Sequence, residues 1–169
     1  MTFRCTDFEN KNKVGEIEKL QIENDSLKNI IANGKYNTKK QITTFLTFQE
    51  NNAKETMNFY VELFDNSEIL QIQRYEKDGP AKEGTIMKAT FELNGKRFIC
   101  SDSYIKHEWT FTPAVSNFVE CETETELKNL FEKLSKKGTV MMPLDNYGFS
   151  QKFGFVEDRY GISWQLNLQ

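Results

Sequence analysis

The chain has 169 residues, a formal net charge of −3, 38% hydrophobic and 13% aromatic residues. That is the length of one domain with a short appendage, enough to bury roughly 70% of the unfolded surface without disulfides. No basic stripe is present to neutralise phosphates, and no run of about 20 apolar residues to span a bilayer, which argues against nucleic acid and membrane as partners.

The opening residues lack the apolar run of a signal peptide. Cys5, Cys100 and Cys121 are odd in number, far apart and without a CxxC pair, so reduced thiols and a cytoplasmic location are expected. Residues 1–40 form an N-terminal helical extension with little to pack. Between Val14 and Ala32 the spacing is helical. Ile17 and Ile31 share one heptad position with Asn24 between them, Leu20 and Leu27 hold the other, and Gly34 ends the helix. Two readings stay open: a short coiled-coil seam whose Asn24 fixes register, or an amphipathic helix lying on a domain. Arg4, Lys11 and Lys13 do not make the basic region of a leucine-zipper transcription factor.

Residues 42–48, ITTFLTF, are rich in β-formers. Asn52 and Glu55 then have capping-box spacing, and Met57, Tyr60, Val61 and Phe64 follow at i, i+3, i+4 and i+7. Strand-like SEILQIQRYEK, turn-rich DGPAKEG, TIMKATFEL, an Asn94-Gly95 hairpin turn and KRFICSDS complete a first set. The pattern restarts at PAVSNFVEC. Thr123 and Glu126 form a second capping box, and Leu127, Leu130, Phe131 and Leu134 a second apolar face. Gly138 stops that helix, and TVMMPLDN, SQKFGFVED and ISWQLNL supply strands. A shift of 71 residues superposes Asn52 on Thr123, Glu55 on Glu126 and Leu63 on Leu134. Matching caps, faces and preceding strands indicate an internal β-α-β-β-β duplication.

The run ITTFLTFQENNAKETMNFYVELFDNSEI resembles the opening of the PhnB-like branch of the vicinal-oxygen-chelate (glyoxalase, bleomycin-resistance, dioxygenase) superfamily. That branch is often labelled 3-demethylubiquinone-9 3-methyltransferase-like. AVSNFVECETETELKNLFEKLSKKG and KFGFVEDRYGISWQLNL resemble its second half. The resemblance implies an α+β fold over residues 41–169, in which two βαβββ modules (41–110 and 111–169) curl mixed sheets round a cleft. It places the family's metal-ligand positions at Thr44 or Phe45, Ile99, Val115 or Ser116, and Gln165, the last where the superfamily often has Glu. Phe and Ile offer no donor, a neutral amide is a poor sole anchor for a divalent ion, and the chain's one histidine, His107, sits in the loop-like YIKHEW. A site without metal or other cofactor is therefore expected.

By the same resemblance the ligand-lining residues are Thr44, Phe45, Arg74, Ile99, Ser116, Tyr147, Phe149 and Gln165. Tyr147 and Phe149 would act as a lid, and Arg74 would pair with an anionic group. The ligand is expected to be a small apolar or aromatic molecule, and the chain a homodimer. No catalytic residue is assigned; titratable candidates are Asp102, Glu120 and Asp145. Alternatives are a sequestering module of the resistance type and a partner-binding protein acting through the N-terminal helix. A third is a methyltransferase, as the label suggests. Against that last reading, the glycines are scattered and none forms the GxGxxG turn that lets backbone approach a nucleotide-type cofactor. His107 reads as a surface loop residue without GxSxG. Cys100 and Cys121 read as buried small hydrophobes.

Overall fold

In the computed structural model, which describes residues 42–169, the duplication is realised element by element. The amphipathic segment 14–32 and Cys5 lie outside the described residues. The first module consists of β1 (Thr44–Phe48), α1 (Ala53–Leu63), β2 (Glu68–Arg74), β3 (Ile86–Leu93) and β4 (Lys96–Asp102). The second repeats it as β5 (Ser116–Glu120), α2 (Glu124–Ser135), β6 (Thr139–Asp145), β7 (Lys152–Glu157) and β8 (Ser163–Leu168). Each module makes one four-stranded mixed sheet, with orders β1-β4-β3-β2 and β5-β8-β7-β6. The first and last strands of each module pair in parallel and the rest antiparallel. The identical order is the pseudo-symmetry implied by the 71-residue shift. Among the described residues the two sheets share no ladder, and no barrel closes.

Local chemistry explains the joints. Asn94 and Gly95 have φ of 45° and 76°, the pair of left-handed residues that a tight β3–β4 hairpin requires. Gly154 on β7 has a different reason. A Cβ there would sit 2.6 Å from the Phe131 ring and 2.7 Å from Leu144, so only glycine lets α2 lie this close to its sheet.

The two helices are capped differently. Thr123 Oγ1 accepts from Glu126 N–H at 3.1 Å, and Glu126 Oε2 accepts from Glu122 N–H at 2.8 Å, so the second capping box forms much as its spacing implies. The box expected at Asn52 and Glu55 does not form. Asn52 makes no side-chain cap, and Glu55 instead accepts from the Tyr160 hydroxyl. Asp102, at the end of β4, takes over. Its carboxylate accepts from Ala53 N–H at 2.9 Å and from Ile86 N–H at 2.7 Å, while only 2% of the residue is exposed.

One face of each sheet carries the core. Leu46, Phe48, Ala89, Phe91, Phe98 and Cys100 are buried under α1 with Met57 and Tyr60. Leu127, Leu130 and Leu134 cover Val156 and Leu166 in the second module. The two cores are continuous. The Tyr60 hydroxyl donates to Asp158 Oδ2, and the Tyr60 and Phe64 rings each lie 5.1 Å from Trp164, the latter stacked. Trp164 alternates with Gln165 along β8, so it belongs to the helix-bearing face of its sheet. The modules therefore meet through their helix-bearing faces, and the opposite faces point away from the junction. No helix among the described residues is long and apolar enough to cross a membrane.

Candidate functional site

Strand alternation and register decide which side chains share an outward face. In the second module Phe118 of β5, Gln165 of β8 and Phe155 of β7 are register partners in one row across three adjacent strands. Strands lie about 4.8 Å apart, so the two phenyl rings flank Gln165 at a separation of about 10 Å. Gln165 Nε2 donates to Ser116 Oγ at 2.8 Å, which fixes the amide within the slot. Phe118 is 54% exposed, uncommon for a phenylalanine in a strand.

The next row along the same face is Glu120, Asn167 and Phe153. Asn167 is buried and its Nδ2 donates to Glu120 Oε2 at 2.6 Å. Phe153 is packed by Phe149 at 5.1 Å and Tyr147 at 6.0 Å, and Tyr147 is tethered by its hydroxyl to Pro143 O. The two residues expected to act as a lid thus fold onto the second module's outward face, over Phe153.

The remaining expected residues are dispersed. Phe45 and Ile99 are cross-strand neighbours on the outward face of the first sheet. Thr44 pairs with buried Phe98 and alternates with Phe45, which puts it on the helix-bearing face. Arg74 donates to Gly84 O at 2.8 Å and staples the β2–β3 connection. The structure brings Ser116, Gln165, Tyr147 and Phe149 onto one face and leaves Phe45 and Ile99 on another. A cleft of about 640 Å³ between the modules is lined by none of the eight. Its walls include Phe64, Leu93, Phe98, Leu130 and Trp164 from the helix-bearing faces, and the edge strand β5 borders it with Phe118 and Glu120. Phe118, Phe155, Asn167 and Phe153 were not singled out from sequence. The alternation in SNFVE and FGFVE is the signal that carries them.

Other titratable groups are structural. Asp158 accepts from Tyr60 Oη, Trp164 Nε1, Tyr160 N and Ile162 N, and its pKa is raised by burial against the opposing pull of these donors. Burial, then the Asp158 charge, pushes the Tyr60 phenol well above its usual value. Burial likewise raises Cys100 to about 12 and Cys121 to about 11, which makes both poor nucleophiles at neutral pH. His107 stacks on Trp109 at 4.2 Å, and its Nε2 lies 3.0 Å from Ser103 Oγ. The same hydroxyl is engaged by Ile105 N and O, so Ser103 closes a turn.

Two cofactors implied by the resemblance can be tested against these side chains. For a divalent metal the donor set does not fit: the first-module positions pair Phe45 with Ile99, Ser116 and Gln165 bond each other, and no group of three His, Cys, Asp or Glu gathers among the described residues. For S-adenosylmethionine, the left-handed glycines Gly84, Gly95, Gly148 and Gly161 stand in four separate connections, and none links a parallel strand to a helix N-terminus.

Comparison with known proteins gives a consistent picture. Residues 40–167 match the family model described as 3-demethylubiquinone-9 3-methyltransferase. A PhnB protein from Bacillus cereus carrying the same methyltransferase label is 55% identical, with a TM-score of 0.75 over 77% of this chain and 100% of its own. A glyoxylase/bleomycin resistance protein/dioxygenase domain from Frankia sp. is 18% identical, with a TM-score of 0.53 over 76% of this chain and 90% of its own. The fosfomycin resistance protein FosX of Listeria monocytogenes, crystallised with Mn(II) and 1S,2S-dihydroxypropylphosphonic acid, is 12% identical with a TM-score of 0.53, covering 76% and 91%. These last two likenesses concern the fold alone. No functionally curated protein matches the chain.

Proposed function

The chain belongs to the 3-demethylubiquinone-9 3-methyltransferase family, the PhnB-like branch of the vicinal-oxygen-chelate superfamily, and from that premise we propose that it binds a small planar apolar or aromatic molecule on the outward face of the second module, without a resident metal. The observation that carries this reading is the row Phe118–Gln165–Phe155, with Ser116 fixing the amide. Stacked rings prefer centroid separations of about 4.5–7 Å, so a slot of about 10 Å accepts one flat ring between its walls. The amide orients it, as the few polar groups of a mainly apolar site do.

The slot is open in one chain. Phe118 is 54%, Val115 75% and Phe45 50% exposed, and β5 and β1 are edge strands. Apolar exposure along unpaired edges supports a homodimer in which the first-module face of a second copy, carrying Phe45 and Ile99, closes over the slot. The inter-module cleft would then be built between copies. Binding of this kind serves either metal-free catalysis or sequestration. The family label favours methyl transfer, but the glycine placement gives that reaction no cofactor cradle.

A thermal-shift screen of neutral planar aromatics and of Mn(II), Zn(II) and Ni(II) tests the reading. A ligand at ten times its Kd adds about 1.4 kcal/mol, a rise of several degrees for a domain of this size. The expected result is a rise with an aromatic, little with any metal, and loss of the rise in Gln165→Leu. A rise driven by a metal alone contradicts it.

A further inference from the structure

Resting on that site, we infer that its ligand carries a cationic arm, an aromatic amine rather than a carboxylate, phosphate or phosphonate. The charge of the face is one-sided. Its strand positions hold Glu120, Glu157 and Asp145, register partners of Asn167, Ser163 and Phe153, and no lysine or arginine. Lys152, the one cation on these four strands, alternates onto the other face and pairs with Glu124. An anion brought here meets like charge. A neutral ring gains nothing from it.

Glu120 is placed to receive the arm. It follows Phe118 by two residues on the same face, an offset of about 7 Å along β5, which an aminoethyl group on a ring held in the slot spans. Its carboxylate is oriented by the buried Asn167 amide through Oε2, and no lysine or arginine among the described residues pairs with it. Across Asn167 stands the second, independent feature, the aromatic cluster of Phe153, Phe149 and Tyr147. Ring faces attract cations through their quadrupole. An ammonium held between Glu120 and these rings has a carboxylate on one side and the aromatic cluster on the other. Ser163, on the same face of β8, adds a buried hydroxyl without a partner.

The test uses the full chain and three probes of one size: 2-phenylethylamine, 2-phenylethanol and phenylacetate. Binding is followed by NMR at the side-chain amides of Gln165 and Asn167. The amine is expected to bind about tenfold more tightly than the alcohol, with phenylacetate weaker still. Glu120→Gln, at an exposed position, should bring the amine down to the alcohol and leave the alcohol unchanged. If the alcohol or phenylacetate shifts Gln165 with equal or higher affinity than the amine, the cationic preference is overturned and the aromatic slot stands. If none of the three shifts either amide, slot and preference fall together.

Discussion

The two modules share strand order and helix placement, yet they spend their carboxylates differently. In the first, Asp102 is buried in the joint between α1, β3 and β4, where it holds Ala53 N–H and Ile86 N–H. In the second, α2 is capped by its own Thr123, and Glu120 stays at the surface beside Asn167. Arg97 meets Glu92 at 2.9 Å on the first sheet's outward face, whereas the second sheet's outward acids have no cation beside them on their strands. Duplication kept the frame, while one copy builds its carboxylate into a joint and the other leaves its carboxylate at the surface.

The largest effect expected from breaking this contrast is Asp102→Ala. It leaves two buried N–H groups without acceptors and uncaps α1, and should destabilise by about 3 kcal/mol in urea unfolding. A loss under about 1 kcal/mol would show that Asp102 does not hold the joint.

The seam between modules gives a pH signature of intermediate size. Burial raises the Asp158 carboxyl above its ordinary 3.8. The folded state thus holds the proton more tightly than the unfolded chain. The stability this contributes is complete below about pH 3.8 and is lost as pH rises through the raised value. Urea midpoints of the native chain and Asp158→Asn, compared across pH, should differ most at low pH and converge upward. A gap that widens with pH would reverse the sign assigned here.

Thr123→Ala is the smallest of the three. It removes one local cap whose N–H partner can turn to water, so about 1 kcal/mol is expected, well below the Asp102 value. Equal losses at the two caps would erase the distinction between the modules.

What could be read from residues alone follows the range of the interaction. Helix faces, the second capping box and the Asn94-Gly95 turn rest on neighbours within a few positions, the duplication on those local patterns recurring 71 residues on, and each is present. The α1 cap was misassigned because Asp102 lies 49 residues from Ala53, and Asn52 had the right residue type at the right place. The outward face was partly hidden for another reason. In SNFVE each face carries one apolar residue among polar ones, Asn117 and Val119 against Ser116, Phe118 and Glu120, so pattern alone does not say which is covered. Register with β8 does, because Trp164 and Leu166 enter the core while Gln165 and Asn167 do not. Family positions name Ser116 and Gln165, which share that face with Phe118 and Phe155.

Two places on the molecule offer apolar walls to a small ligand: the outward slot around Gln165 and the cleft of about 640 Å³ at the module junction. Intermolecular NOEs between a bound aromatic and phenylalanine ring protons separate them directly. Phe118 borders both places, so the deciding contacts are to Phe155, which are expected, with none to Phe98. Contacts to Phe98 and Leu130 with none to Phe155 would move recognition to the junction and contradict the account.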